Sequence, residues 1–386
     1  MLIYILVFAW ILLLSVLHRN NGAKPKPLNF ALVMLCLALF VGLGDMLGGY
    51  DRYIYGEVFD YMSKTFHDYG IISLPIFNRY FGVEMGYGAW NLLIGLVTGN
   101  RYLFILITTL VTYALYARTI YRYSSSPYLT LVIFMGLTFF FTFTYLRQVM
   151  AMGIVWMGLP FILNRKPIPF FALVALGASI HNSAALFGLM YFIPLRRFAP
   201  RTIILVMGGL LFLGLTNMTG SLFEAYGDAF TLAASKAAEY TKTASYGFRF
   251  EYFIEALLFL YIFLRNYQKL PDTKENALLM NFYLLFCGTL LFFSRSSDAG
   301  RLAWYGMGGI MLLIPLFVQH VRATALRNFV TIVSIVLFMR ILTSWGILVH
   351  PYKSFLTPGI RDNDVINERF EYNHSYSRDK LQNFFW

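Results

Sequence analysis

Six basic side chains, far apart in the sequence, could do chemistry by their type and placement. Arg147 follows Thr144-Tyr145 at the end of an uncharged run, and Arg295 and Arg301 flank a turn, Ser296 to Gly300, that contains Asp298. Arg52 and Arg79 lie between two apolar runs, and His181 interrupts a third. A guanidinium keeps its proton and offers paired N–H groups that match phosphate oxygens, so several converging arginines would hold a diphosphate. When a group leaves a diphosphate, negative charge grows on the departing phosphate. Preorganised cations lower that barrier most where water is excluded. Transfer to a hydroxyl also needs a base, and Asp51, Glu84 and His181 are the candidates. His181-Asn182-Ser183 reads equally well as a polar turn satisfying backbone groups, and each arginine alone as an ion pair or headgroup contact.

The elements that must position these residues are set by composition. Of 386 residues, 58% are apolar and only 13% charged, with 38 Phe and 27 Tyr. A soluble fold could not hide so much apolar area, so lipid must solvate most of the chain. Uncharged runs long enough to cross, or nearly so, cover 1–17, 28–44, 102–117, 123–146, 148–164, 202–223, 276–294 and 302–319. Three further runs carry ionisable interruptions: 167–195, 250–264 and 328–349. The stretch 85–100 is Gly-rich and short, which predicts a re-entrant segment. The expected fold is all-α: a polytopic helical bundle of about twelve spans over residues 1–346, with external loops at 45–84 and 224–249 and an external tail at 347–386.

Lysine and arginine in the short loops set the expected orientation. If 167–195 is a tight hairpin turning near His181, every basic short loop falls on the cytoplasmic side. The arginines named above, with His181, then share the outer face and line a basic pocket rimmed by aromatics. In the first external loop, Ile54, Val58, Tyr61, Thr65 and Tyr69 recur at helical spacing, with Tyr55, Phe59, Met62 and Phe66 beside them and Glu57, Asp60, Lys64 and His67 opposite. That pattern predicts an amphipathic helix lying flat on the outer leaflet. The net charge of +12 records the topology rule, and nothing interleaves aromatics with basics as a nucleic-acid surface would. There is no His-Glu-x-x-His, no paired-cysteine spacing and no phosphate-binding Gly-rich loop, so neither a metal nor a cofactor is expected. Cys36 and Cys287 read as small apolar core residues.

Five short motifs, in order, resemble the EpsG-like family of bacterial exopolysaccharide, capsule and O-antigen polymerases, akin in role to Wzy-type enzymes. They are Gly49-Tyr50-Asp51 with Tyr53 and Tyr55; Glu84-Met85-Gly86-Tyr87 followed by Trp90-Asn91-Leu92; Arg147-Gln148-Val149-Met150-Ala151; His181-Asn182-Ser183-Ala184; and Arg301-Leu302-Ala303-Trp304-Tyr305. Met85 stands where the family pattern has proline. The resemblance implies a glycosyltransferase of the bacterial inner membrane that acts at its periplasmic face. It would move a growing glycan from an undecaprenyl-diphosphate carrier onto the sugar of another lipid-linked repeat, with a chain-length regulator and a flippase as further partners. Carried over by position, Arg147 and Arg301 would clamp the diphosphate, assisted by Arg52 or Arg295. His181, Asp51 and Glu84 would serve the acceptor, and Tyr145, Gln148 and Tyr305 would support them. Two alternatives stay open: an O-antigen ligase with the same leaving group, and a flippase or transporter. The latter would be expected to show paired inverted halves, and no two-fold pattern is visible.

Overall fold

A computed structural model describes residues 1–18, 24–70, 84–216, 218–222, 247–296, 298–321 and 324–385. Arg79 and residues 224–246 of the second expected loop lie outside them. The described residues are helical, with a single isolated β-bridge between Gly44 and Ser354. In chain order the main helices are α1 (Leu2–Leu17), α2 (Pro27–Gly42), α3 (Tyr50–Tyr69), α4 (Met85–Gly95), α5 (Arg101–Tyr123), α6 (Pro127–Leu137), α7 (Leu146–Trp156), α8 (Pro167–Ile180), α9 (Pro200–Leu215), α10 (Phe250–Asn266), α11 (Lys274–Phe292), α12 (Met307–Val321) and α13 (Thr324–Trp345). Proline at the first turn of α2, α6 and α9 sets φ where no N–H partner exists.

Among the described residues, five helical stretches are long and apolar enough to cross a membrane: Arg101–Tyr123, Leu146–Leu163, Lys274–Phe292, Ala299–Val321 and Thr324–Leu348. Shorter apolar helices, α1, α2, α6, α8 and α9, accompany them. Their outer faces carry bare leucine and isoleucine, such as Leu2, Leu28, Leu205 and Ile332, as a lipid-solvated surface requires. Cys287 is buried as expected, but Cys36 is exposed on the apolar face of α2. The expected run 123–146 is not one helix: α6 ends at Leu137, and a separate turn, Phe141–Thr144, follows. Its sequence, Thr138 to Thr144, is aromatic and β-branched throughout, a weak helix former, and the break leaves the Phe143 carbonyl available to a side chain. The stretch 85–100 contains α4, whose 11 residues span about 16 Å, roughly half the hydrocarbon thickness.

The chain divides into two compact units. The first comprises Met1–Ile154, Ser179–His181 and Ala325–Trp386; the second comprises Val155–Ala178 and Asn182–Thr324. In the second unit the hairpin forms as the sequence suggests. After α8 the chain returns as a 3-10 helix, Asn182–Tyr191, and Tyr191 stacks on Phe170 at 5.3 Å. In the first unit α2 packs closely on α5, where Gly42 leaves room for Leu106. The predicted amphipathic helix is α3, but its buried face differs from the expected one. Arg52, Tyr55, Phe59 and Met62 point inward, Tyr61 and Tyr69 are exposed, and Asp60 is ion-paired rather than turned to water.

The reason is the tail, which folds back over this unit. Asn100 caps α5 by accepting from the Tyr102 and Leu103 N–H groups, and its own amide donates to the carbonyls of Lys380 and Gln382. Buried Arg101 pairs with both Asp60 and Glu371. Its guanidinium also stacks 4.3 Å from the ring of Tyr376, whose hydroxyl donates to Asp60. Lys380 pairs with Asp45, and Tyr53 donates to Asp364 at 2.6 Å. Two carboxylates thus share one buried guanidinium, and removing it strands both. Arg101→Met is expected to cost about 3–5 kcal/mol, read as a lower thermal midpoint of the purified protein in detergent. A midpoint equal to the parent's would show that the tail is not held this way.

Candidate active site

Three of the five motifs, with the histidine of a fourth, supply one cluster in the first unit. Glu84 ends the loop 45–84, expected to be external, as the N-cap of α4 and is 2% exposed in its side chain. Arg147 stands in the first turn of α7, which begins where the Tyr145 carbonyl accepts from the Val149 N–H. Arg147 Nη1 donates to Glu84 Oε2 at 2.5 Å, while the other carboxylate oxygen lies 3.9 Å from His181 Nδ1. One buried carboxylate therefore faces the guanidinium with one oxygen and the imidazole with the other.

Two tyrosines wall the guanidinium. Its carbon sits 5.2 Å from the ring centre of Tyr55 on α3 and 5.6 Å from that of Tyr87 on α4. Arg147 Nε also reaches the Tyr55 hydroxyl at 3.4 Å. Burial raises the phenols of both tyrosines above their ordinary range, so both stay neutral beside the cation. Arg147 is 28% exposed in its side chain, and its Nη2 makes no hydrogen bond among the described residues. The site thus presents one guanidinium edge to an incoming anion, with the other edges already fixed.

The backbone geometry under the cluster is tight. A Cβ on Gly86 would sit 2.1 Å from Ser179 Oγ and 3.1 Å from the Ser179 carbonyl carbon, so only glycine lets α4 approach the segment that carries His181. Gly48 and Gly49 enter α3 with φ of +105° and +89°, a conformation that L side chains rarely adopt.

The other expected residues stand as follows. Arg52 is fully buried and donates to three backbone carbonyls, at Val41, Gly44 and Phe143. It ties the loop before α3 to the break after α6. It takes up carbonyls that the irregular backbone leaves unpaired. Asp51 occupies the first turn of α3, where a carboxylate suits the helix dipole, and acts electrostatically on Tyr55. Tyr145 and the buried Gln148 flank Arg147 in the chain. Arg295, Arg301 and Tyr305 belong to the second unit. There Arg295 donates to the Leu215 carbonyl at 3.2 Å, Arg301 is exposed on a short helix, Ala299–Ala303, and the Tyr305 hydroxyl lies 3.0 Å from Ser183 Oγ. The sequence reading missed the walls, Tyr55 and Tyr87, although both lie inside quoted motifs. Their helical spacing resembled ordinary packing.

No group of three or more metal-ligating side chains gathers among the described residues. In the tail, Asp364 pairs with Arg361 and accepts from Tyr53.

Introducing a methyl at position 86 should displace the His181 segment, so Gly86→Ala is expected to lower the thermal midpoint. Adding Ser179→Gly should recover most of the loss, because it removes the closest clashing atoms. Additive effects of the two changes would contradict the close approach.

Comparison with known families finds the EpsG family, which matches residues 28–356. No curated protein and no solved structure matches the chain.

Proposed function

The chain belongs to the EpsG family, and from that membership and the Glu84–Arg147–His181 cluster we propose that it polymerises lipid-linked glycan repeats at the outer face of the bacterial inner membrane. The observation that carries the reading is a partly exposed guanidinium, fixed by a buried carboxylate and two tyrosine faces, with one edge left for an anion.

In this reaction the acceptor oxygen bonds to the anomeric carbon of the donor glycan, and the bond from that carbon to the diphosphate oxygen breaks. The acceptor proton goes to Nε2 of His181, and the electron pair leaves with the polyprenyl diphosphate. Arg147 neutralises charge as it grows on that phosphate, in a site where apolar walls strengthen the interaction. Glu84 faces Nδ1 of His181 and stabilises the imidazolium that forms, as the carboxylate behind the histidine does in serine proteases. A ligase would share this leaving group and differ in its acceptor. The outward face of the site follows from the lysine and arginine distribution of the loops.

The test is complementation of a strain lacking the gene. Arg147→Ala is expected to abolish polymer, a fall of at least about a hundredfold, while the protein stays in the membrane. Arg147→Lys should also be severely impaired, because a point charge cannot hold two oxygens at once. Wild-type-length polymer from Arg147→Ala would refute the clamp. In the deletion strain single repeats should remain, whereas long chains accumulating on the carrier would favour a ligase.

A further inference from the structure

The tail beyond residue 356 is attached to the first unit mainly through charge. Its inward side chains are polar: Arg361, Asp364, Asn367, Glu371 and Lys380 are buried, and Tyr376 is the only hydrophobic residue buried among the described residues of 357–385. Ile360, Val365, Tyr372, Leu381 and Phe385 are instead exposed. Apolar burial therefore contributes little here, and the attachment rests on ion pairs and hydrogen bonds.

Those pairs are not balanced along the segment. Lys380 meets Asp45 and Arg361 meets Asp364, one cation to one carboxylate. Arg101 instead serves two: its Nε donates to Asp60 Oδ2 at 2.7 Å, and its Nη1 donates to Glu371. Glu57, three residues before Asp60, lies within electrostatic reach of both Arg101 and Glu371. The Tyr376 hydroxyl donates to the other Asp60 oxygen at 3.2 Å. One guanidinium cannot neutralise two shielded carboxylates, so the cluster favours holding a proton. Burial pushes the Asp60 carboxyl up to about 6, with Arg101 and Tyr376 opposing the rise and Glu371 adding to it. His374, the histidine of this segment, is exposed.

We propose that the tail is a proton-linked strap, which closes on α3 with uptake of a proton at Asp60 and thereby fixes the helix that carries Tyr55. Tyr53 and Asp60, about two turns apart, are its grips on α3, through Asp364 and through Arg101 with Tyr376, and Tyr55 lies between them. A Cβ on Gly56, next to Tyr55, would sit 3.1 Å from Arg101 Cδ, so the arginine that receives the strap touches the helix beside that wall. A carboxyl raised in the closed state favours closing below its raised value, and the gain is lost as pH rises through that value. The strap is thus tighter at pH 5 than at pH 7. The proton linkage stands on the tail, α3 and α5 alone; only its consequence for Arg147 rests on the proposed reaction.

The experiment is hydrogen exchange of the full chain in detergent, read by mass spectrometry and corrected for the intrinsic pH dependence of amide exchange. Opening of peptides covering 361–380 should be about tenfold rarer at pH 5 than at pH 7, and the peptide covering 50–60 should follow. Peptides from α11, in the second unit, should not change. Asp60→Asn, neutral at every pH, should abolish the difference between the two pH values. Asp60→Ser serves the same purpose where the amide is not tolerated. A tail equally or more open at pH 5, a pH dependence kept in both Asp60 variants, an α3 peptide that ignores the tail, or an equal change in α11 would each overturn the proposal. Polymer from Arg147→Ala would sink the reaction and leave the strap standing.

Discussion

A carboxylate that stays ionised when buried in a protein solvated by lipid must have a cation, because desolvating the charge alone costs far more than folding can supply. Glu84 meets that constraint with Arg147, and the surrounding architecture of the first unit follows from keeping the two together. The pair joins the N-cap of α4 to the first turn of α7, 63 residues away in sequence. Tyr55 and Tyr87 exclude water from its flanks while adding ring faces to the guanidinium. The second carboxylate oxygen then faces His181, so one buried charge orients both a cation and an imidazole.

Such a pair is useful only if the helices that carry its walls are rigid. α3 brings Tyr55, and α3 is held by Arg52 beneath its first turn and by the tail along its length. The tail lies mostly beyond the matched residues 28–356, yet its Glu371, Tyr376 and Lys380 close a polar layer over Asp60, Arg101 and Asp45. α4 brings Tyr87, and Gly86 lets that helix touch the backbone at Ser179. Each support is a polar or steric fit that tolerates few other residue types, in a molecule otherwise built from interchangeable apolar side chains.

That contrast explains what could be read from the chain. Charge-free runs mark lipid-solvated helices because lipid tolerates little else, so the all-helical class, α3 and the hairpin at His181 were visible. Glu84, Arg147 and His181 stood out because ionisable groups are rare in such a chain. The break between α6 and α7 was invisible, since an apolar run looks the same whether or not its helix is interrupted. Which arginine is structural was also hidden. Arg52 and Arg147 both sit near helix starts, and only the three carbonyls gathered around Arg52 set their surroundings apart. The inward face of α3 was misjudged because Asp60 reads as a water-facing residue until Arg101 and the tail are placed beside it.

The central claim is that Glu84 and Arg147 act as one unit, and a double-mutant cycle measures it most directly. Glu84→Gln, Arg147→Met and the double variant, unfolded in detergent, should give a coupling energy of about 1–3 kcal/mol, with the double variant more stable than Arg147→Met alone. Stability losses that simply add would mean the two side chains do not meet, and the site built around them would fall with that result.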